Sequence, residues 1–266
     1  MHLIHTKEEN EMFNLYSVFK KCNTANNFLL TTENAQIDFN MIDQLSSKYA
    51  NLLHNLHIKK GDRVAAQIEK SEHNLFLYFA CLRSGIIFLP LNNTYTLHEL
   101  NYFFEDAKPT LVVCDPRNEE AIEKIIDNNV SSIKTLDAQG VGSLTEKLNE
   151  QSEEHVIIDS NSDDIAVMLY TSGTTGKPKG AMITHHALLN NTIDLIEAWG
   201  ITDNDVILHM LPLFHVHGLF FAINTAFLSG AKTGLSSARS LRARRNTHSD
   251  GAPLDRIFIL IGYILI

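Results

Sequence analysis

The chain has 266 residues, enough for one large domain or two modest ones with a substantial core, and its 44% apolar and 20% charged residues exclude a disordered chain. With 22 basic against 31 acidic residues the formal charge is −9, which disfavours a general nucleic-acid binder but leaves room for a local anion pocket. Cys22, Cys81 and Cys114 are odd in number, widely spaced and without C-x-x-C, so reduced thiols in a cytoplasmic protein fit better than a disulfide framework or a zinc site.

The N-terminal MHLIHTKEENEMF lacks the apolar core of a secretory signal and the Arg-rich, acid-poor character of a transit peptide. The longest apolar run, the terminal IFILIGYILI, is too short to cross a bilayer as a helix, and no membrane role is expected. From Asp38, a 3.6-residue period sets Ile42, Leu45, Tyr49, Leu52, Leu53 and Leu56 on one helical face, with Gly61 as the stop. RVAAQI follows as a strand. SEHNLFLYFACLRSG then reads as a buried helix with Ser71 as N-cap and Gly85 near its end. IIFLP is a second strand, and Thr96 with Glu99 makes a T-x-x-E capping box ahead of a helix through Phe104. TLVVC is a third strand, followed by a polar helix from near Arg117. IKTL and VII are further short strands, and the polar stretch 139–154 reads as a surface connection. IAVMLYT is a β-rich run that leads straight into the loop TSGTTGKPKG. Beyond it come AMITH, a helix over 186–199, the strand DVILHM and an apolar segment over 219–228. Apolar strands alternating with helices are the pattern of an α/β fold with a largely parallel sheet. The tail differs. Residues 234–256 carry Arg239, Arg242, Arg244, Arg245 and Arg256 without a visible strand or amphipathic helix, and the last ten residues are almost wholly apolar.

The loop has the ingredients of a phosphate cradle. Glycines let backbone N–H groups approach an anion, hydroxyls donate to its oxygens, and lysines supply charge. A Walker P-loop needs G-x-x-x-x-G-K-[ST] with a helix starting at once. Here only two residues separate Gly173 from Gly176, and Lys177 is followed by Pro178, which has neither hydroxyl nor N–H. The Walker reading is therefore disfavoured; a Gly/Thr-rich surface turn is the bland alternative.

YTSGTTGKPKGAMITHHAL closely resembles the signature loop of the adenylate-forming superfamily, which includes acyl-CoA synthetases, peptide-synthetase adenylation domains and firefly luciferases. LPLFHVHGL (211–219) is similar to the next motif of that family, where an aromatic–His pair reaches the acyl site. GDRVAAQIEKS, CLRSG, LPLNNTYTLHEL and LVVCD resemble the N-terminal region of its malonyl-CoA synthetase branch. The resemblance covers about residues 13–232. It implies an α/β architecture, the N-terminal part of the adenylate-forming fold with largely parallel sheets flanked by helices. On this reading residues 1–232 are a partial AMP-binding domain and the C-terminal domain is absent; 233–266 are a divergent basic then apolar tail, for which a nucleic-acid-binding tail is one reading and a non-native or frame-shifted end of a longer protein the favoured one.

The resemblance implies that a carboxylic acid, malonate, is joined to AMP with release of pyrophosphate and then passed to the thiol of CoA. ATP and CoA are the partners, and Mg2+ arrives with ATP. Thr171, Ser172, Gly173, Thr174, Thr175, Gly176 and Lys177 surround the pyrophosphate end; Lys179 joins them or is a surface lysine. His215 lies beside the acyl carboxylate and the α-phosphate, and His217 lines the acyl pocket; the alternative for both is a core histidine satisfied by backbone groups. His185 braces structure, while His54, His57 and His73 are solvated. No cluster has metal-ligand spacing. The chain lacks Y-G-x-T-E and the later lysine of the family, so it is expected not to complete the reaction alone. The competing reading is a non-catalytic nucleotide-binding or partner-binding module.

Overall fold

The computed structural model describes residues 13–23, 28–30, 35–126, 130–171, 178–235 and 257–260. The first helix, α1 (Leu15–Cys22), starts where the Asn14 side chain accepts the Tyr16 N–H, and it buries Leu15, Tyr16, Val18 and Phe19. Strands β1 (Phe28–Leu30) and β2 (Gln36–Asp38) follow; neither was expected. Asp38 caps α2 (Phe39–Asn55) by accepting the Met41 N–H at 2.8 Å. This helix ends well before Gly61, because His57 itself takes a left-handed φ of 61° and the Ile58 N–H returns to Leu53 O.

The next elements match the pattern read from the sequence. They are β3 (Arg63–Gln67), α3 (Glu72–Arg83) capped by Ser71, β4 (Ile87–Pro90), α4 (Leu97–Ala107) and β5 (Leu111–Cys114). Both halves of the Thr96–Glu99 capping box are present: Thr96 N–H donates to Glu99 Oε2 at 2.7 Å and Glu99 N–H to Thr96 Oγ1 at 3.3 Å. Thr96→Ala is expected to destabilise the fold by about 1 kcal/mol, read as a lower urea midpoint. The segment near Arg117 is a 3-10 turn (Pro116–Asn118) leading into a short α5 (Glu119–Glu123). After β6 (Ser132–Thr135) the expected VII strand does not form. Ile158 N–H bonds Arg83 O instead of a ladder, and Val156 is 79% exposed.

Strand β7 (Ile165–Thr171) and β8 (Lys179–Thr184) form an antiparallel hairpin; α6 (His185–Trp199) then starts on the Thr184 cap. Strand β9 (Val206–His209), a π-helical segment (His217–Asn224), α7 (Thr225–Ser229), β10 (Lys232–Leu235) and β11 (Ile257–Leu260) complete the order. Residue 232/233, the expected domain boundary, lies inside β10, and β11 is a strand the sequence pattern did not suggest.

Two sheets result. One runs β6-β5-β3-β4-β7-β8, parallel except for β8; the other runs β11-β9-β10-β1-β2, parallel except for β2. From Leu75 to Leu82 helix α3 is apolar all round and buried accordingly. Its Phe79 packs on Phe19 and Phe227, and its Tyr78 packs on Phe88 and donates to Asn224 Oδ1 at 3.0 Å. The helix thus ties β4 of one sheet to the π-helical segment that follows β9 of the other.

At the end of α3, Arg83 is 1% exposed and satisfies three elements at once. Its Nη1 donates to Asp43 O at 2.9 Å and Ser46 Oγ at 2.8 Å, and lies 3.2 Å from the Asp43 carboxylate. Its Nη2 donates to His155 O at 3.0 Å, and the guanidinium sits 4.8 Å over the Tyr16 ring. Burial alone would raise the Asp43 carboxyl, but the Lys20 hydrogen bond, the Arg83 charge and the Tyr16 hydroxyl together hold it below the usual carboxylate range. Among the described residues no helix is long and apolar enough to cross a membrane.

Candidate functional site

The phosphate-loop candidate sits between β7 and β8. Thr171 closes β7, Lys179 opens β8, and the two are cross-strand partners, both exposed. Ser172, Gly173, Thr174, Thr175, Gly176 and Lys177 lie outside the described residues. The chain leaves the loop as a strand and becomes helical only at His185, whereas a Walker loop opens a helix directly. The Walker alternative is thereby removed by topology as well as by glycine spacing.

Helix α4 holds both stems of this hairpin. On the entry side the Tyr170 hydroxyl donates to Asp106 Oδ2 at 2.6 Å, and its ring lies 4.3 Å from that of Phe103. Burial, then the Asp106 hydrogen bond, push the Tyr170 hydroxyl above its ordinary pKa, so it remains a donor. On the exit side the Tyr102 hydroxyl donates to Pro178 O at 2.9 Å. Gly180 faces Tyr170 across the ladder, where a Cβ would collide with the Met168 side chain. None of Tyr102, Asp106 or Tyr170 was singled out from sequence.

His215 and His217 stand on the turn beyond the carboxyl end of β9, in the other sheet. Both are exposed, which removes the core-histidine alternative. Their rings stack at 5.0 Å and 21°, with the two Nδ1 atoms 3.1 Å apart. The backbone N–H of His217 also donates to His215 Nδ1 at 3.3 Å. A ring nitrogen that accepts carries no proton, so His215 holds its proton on Nε2 and His217 donates from Nδ1. Burial, then the neighbouring His217, keep the His215 imidazole below the ordinary histidine pKa. At neutral pH it is therefore a neutral ring offering one outward N–H donor. The His217 ring leans edge-on against Phe221 at 4.8 Å.

Three other histidines are structural. His185 is fully buried, and its Nδ1 accepts the Leu15 N–H at 3.3 Å, bracing α1; burial pushes it down to about 4. His209, also fully buried, faces Gly218 O at 2.9 Å and is pushed down to about 3 by burial and the Lys70 charge. His73 was expected to be solvated but is half-buried, bonded to the Tyr49 hydroxyl at 2.9 Å and edge-on to Phe76. His54 and His57 are exposed, as expected. Among the described residues no group of three or more His, Cys, Asp or Glu side chains could hold a metal ion.

Comparison with known proteins gives this geometry a setting. MatB from Rhodopseudomonas palustris, in its ATP-bound crystal structure, matches with 41% identity and a TM-score of 0.80, over 84% of this chain and 44% of that one. A crotonobetaine/carnitine–CoA ligase from Escherichia coli O1:K1 is 30% identical over 213 residues, 76% of this chain and 41% of that protein. The N-terminal domain of FACL13 from Mycobacterium tuberculosis shares the fold with a TM-score of 0.76 at 23% identity, over 85% of this chain and 57% of that one. The chain thus spans less than half the length of the curated relative and of MatB. The family model described as "AMP-binding enzyme" matches residues 20–248, which takes in the hairpin, its loop and the histidine turn. With that match across most of its length, the chain belongs to the AMP-binding enzyme family.

Proposed function

We propose that this segment binds ATP and serves an AMP-forming acid–CoA ligase whose acid is malonate. The observation that carries the reading is the 41% identity to ATP-bound MatB over 84% of the chain. The acid carboxylate attacks the α-phosphorus, and charge builds on the departing pyrophosphate. Backbone amides of Gly173 and Gly176, the hydroxyls of Thr171, Ser172, Thr174 and Thr175, and the Lys177 ammonium hold that charge, with Lys179 beside them. Catalysis of this kind is positioning plus electrostatics. His215 donates from Nε2 to the acid carboxylate or the α-phosphate. His217 gives the acyl pocket a polar wall, which suits a short dicarboxylate better than a fatty chain. Mg2+ would screen the phosphates and be held chiefly by them. The CoA thiol then takes the acyl group from the acyl-adenylate, losing its proton as the acyl–phosphate bond breaks and AMP leaves. Residues 1–232 are read as belonging to one AMP-binding domain.

Equilibrium binding of ATP and AMP to the chain tests the loop. ATP is expected to bind more tightly than AMP, and Lys177→Ala to weaken ATP by roughly 10- to 100-fold, the loss of one charged hydrogen bond, while sparing AMP. Equal affinities, or an indifferent variant, would overturn the phosphate role. Acid choice is read in an enzyme completed by joining this segment to the remaining part of a full-length relative, by ATP–pyrophosphate exchange with malonate, methylmalonate, acetate and a medium-chain fatty acid in parallel. Preference for the fatty acid would remove malonate. Exchange with none of them, alongside intact ATP binding, would leave a nucleotide-binding module.

A further inference from the structure

We propose that His209 is a positioning residue for the His215–His217 pair, holding their turn through a hydrogen bond from its Nε2 to Gly218 O. The functional consequence rests on the acid-binding role given to His215 above; the geometry does not. A carbonyl oxygen can only accept, so at 2.9 Å the His209 ring must carry its proton on Nε2. Its Nδ1, the bare acceptor in that tautomer, is buried with no hydrogen-bond partner among the described residues.

The turn is closed around this contact. Gly218 N–H and Leu219 N–H both return to His215 O, at 3.0 and 2.9 Å, and His215 N–H reaches Pro212 O at 3.4 Å. A Cβ on Gly218 would strike Pro212 O, so the Gly218 peptide has one place to lie. Its N–H is fixed by His215 and its C=O by His209. An imidazole wholly inside the protein, on the last residue of β9, is therefore one peptide away from the two exposed rings. The strand end carrying it is itself anchored, since Lys70 Nζ donates to His209 O at 2.7 Å from the loop between β3 and α3. The tie runs from one sheet, through Lys70 and His209, to the histidine turn of the other. Burial, chiefly, keeps the His209 ring neutral at physiological pH, with the Lys70 charge adding to it although burial pushes that amine down to about 7; the donor is thus constant while His215 is free to change its proton.

A leucine or phenylalanine would fill the same core volume without donating. What separates positioning from packing is therefore the state of the distant rings. In the wild-type chain, 15N NMR is expected to show His209 as the Nε2–H tautomer and His215 titrating below the ordinary histidine value. His209→Phe, which keeps an aromatic ring but no donor, is expected to shift the His215 midpoint up toward about 6.5. His209→Gln, which can return an N–H to the same carbonyl, is expected to restore it toward wild type. An unchanged His215 midpoint in folded His209→Phe would overturn the proposal. So would a His209 proton found on Nδ1 in the wild-type chain, a reading that needs no variant to fold. Neither readout uses nucleotide, so a failure here leaves the phosphate-loop test standing, and the reverse.

Discussion

Arg83→Ala is expected to lower the unfolding free energy by about 3–5 kcal/mol, the cost of breaking a buried, hydrogen-bonded ion pair from one side. The loss has identifiable parts. Ser46, the Asp43 and His155 carbonyls and the Tyr16 ring face lose a partner in one step, and the Asp43 carboxylate keeps only Lys20 and Tyr16. Arg83→Lys is expected to recover little, because one ammonium cannot fork between α2 and the His155 carbonyl. Arg83→Met, which fills the volume without a charge, is expected to fall between the two. Urea denaturation of the three variants checks the order; a midpoint for Arg83→Ala within error of wild type would show that the guanidinium is dispensable.

Acid is the second lever. His185 and His209 are neutral in the fold, at about 4 and about 3, while the unfolded chain binds their protons near 6.5. Their folded values are depressed, so their contribution is complete above pH 6.5 and is lost as pH falls toward 4 and then 3. Around pH 5 the unfolded state holds about two more protons, which makes stability fall by roughly 3 kcal/mol per pH unit. His155, also pushed down to about 4 by burial and by Arg83, adds to the same slope. The carboxylates Asp43, Asp115 and Asp164 are held below their usual range and come into play only at lower pH. Urea midpoints at pH 7, 6 and 5 test this; a flat profile across that window would contradict the buried neutral histidines. His209→Phe should remove about half of the two-proton slope.

What could be read along the chain was what is written locally. The Ser71 cap and the Thr96–Glu99 box announce their helices within four residues, and fully apolar runs such as Leu111–Cys114 have no place except a sheet interior. The family was legible in the loop and the H-x-H-G turn because their residue types carry chemistry. Contacts made across the fold were silent. Tyr102 meets Pro178 over 76 positions, Tyr170 meets Asp106 over 64, and Lys70 meets His209 over 139; nothing near any of these residues hints at the partner. Strands β1 and β2 are three residues each, and β1 is a strand because β10 and β2 flank it. The reverse error, at 156–158, has the same origin. β-propensity was present there, but Arg83 O and solvent took the place of a neighbouring strand.

The pairing of Leu29 with Thr233 has a consequence for biosynthesis. The six-stranded sheet can begin once Cys114 has left the ribosome, since β3, β4 and β5 are neighbours in both sequence and space. The other sheet must wait for β9 and β10, roughly 200 positions after β1 is made. At about 5–20 residues per second, that delay is of order 10–40 s. During it the β1–β2 ribbon lacks β10 and the Phe79 side of α3 lacks Phe227, so the nascent chain passes through a vulnerable interval that only late translation ends.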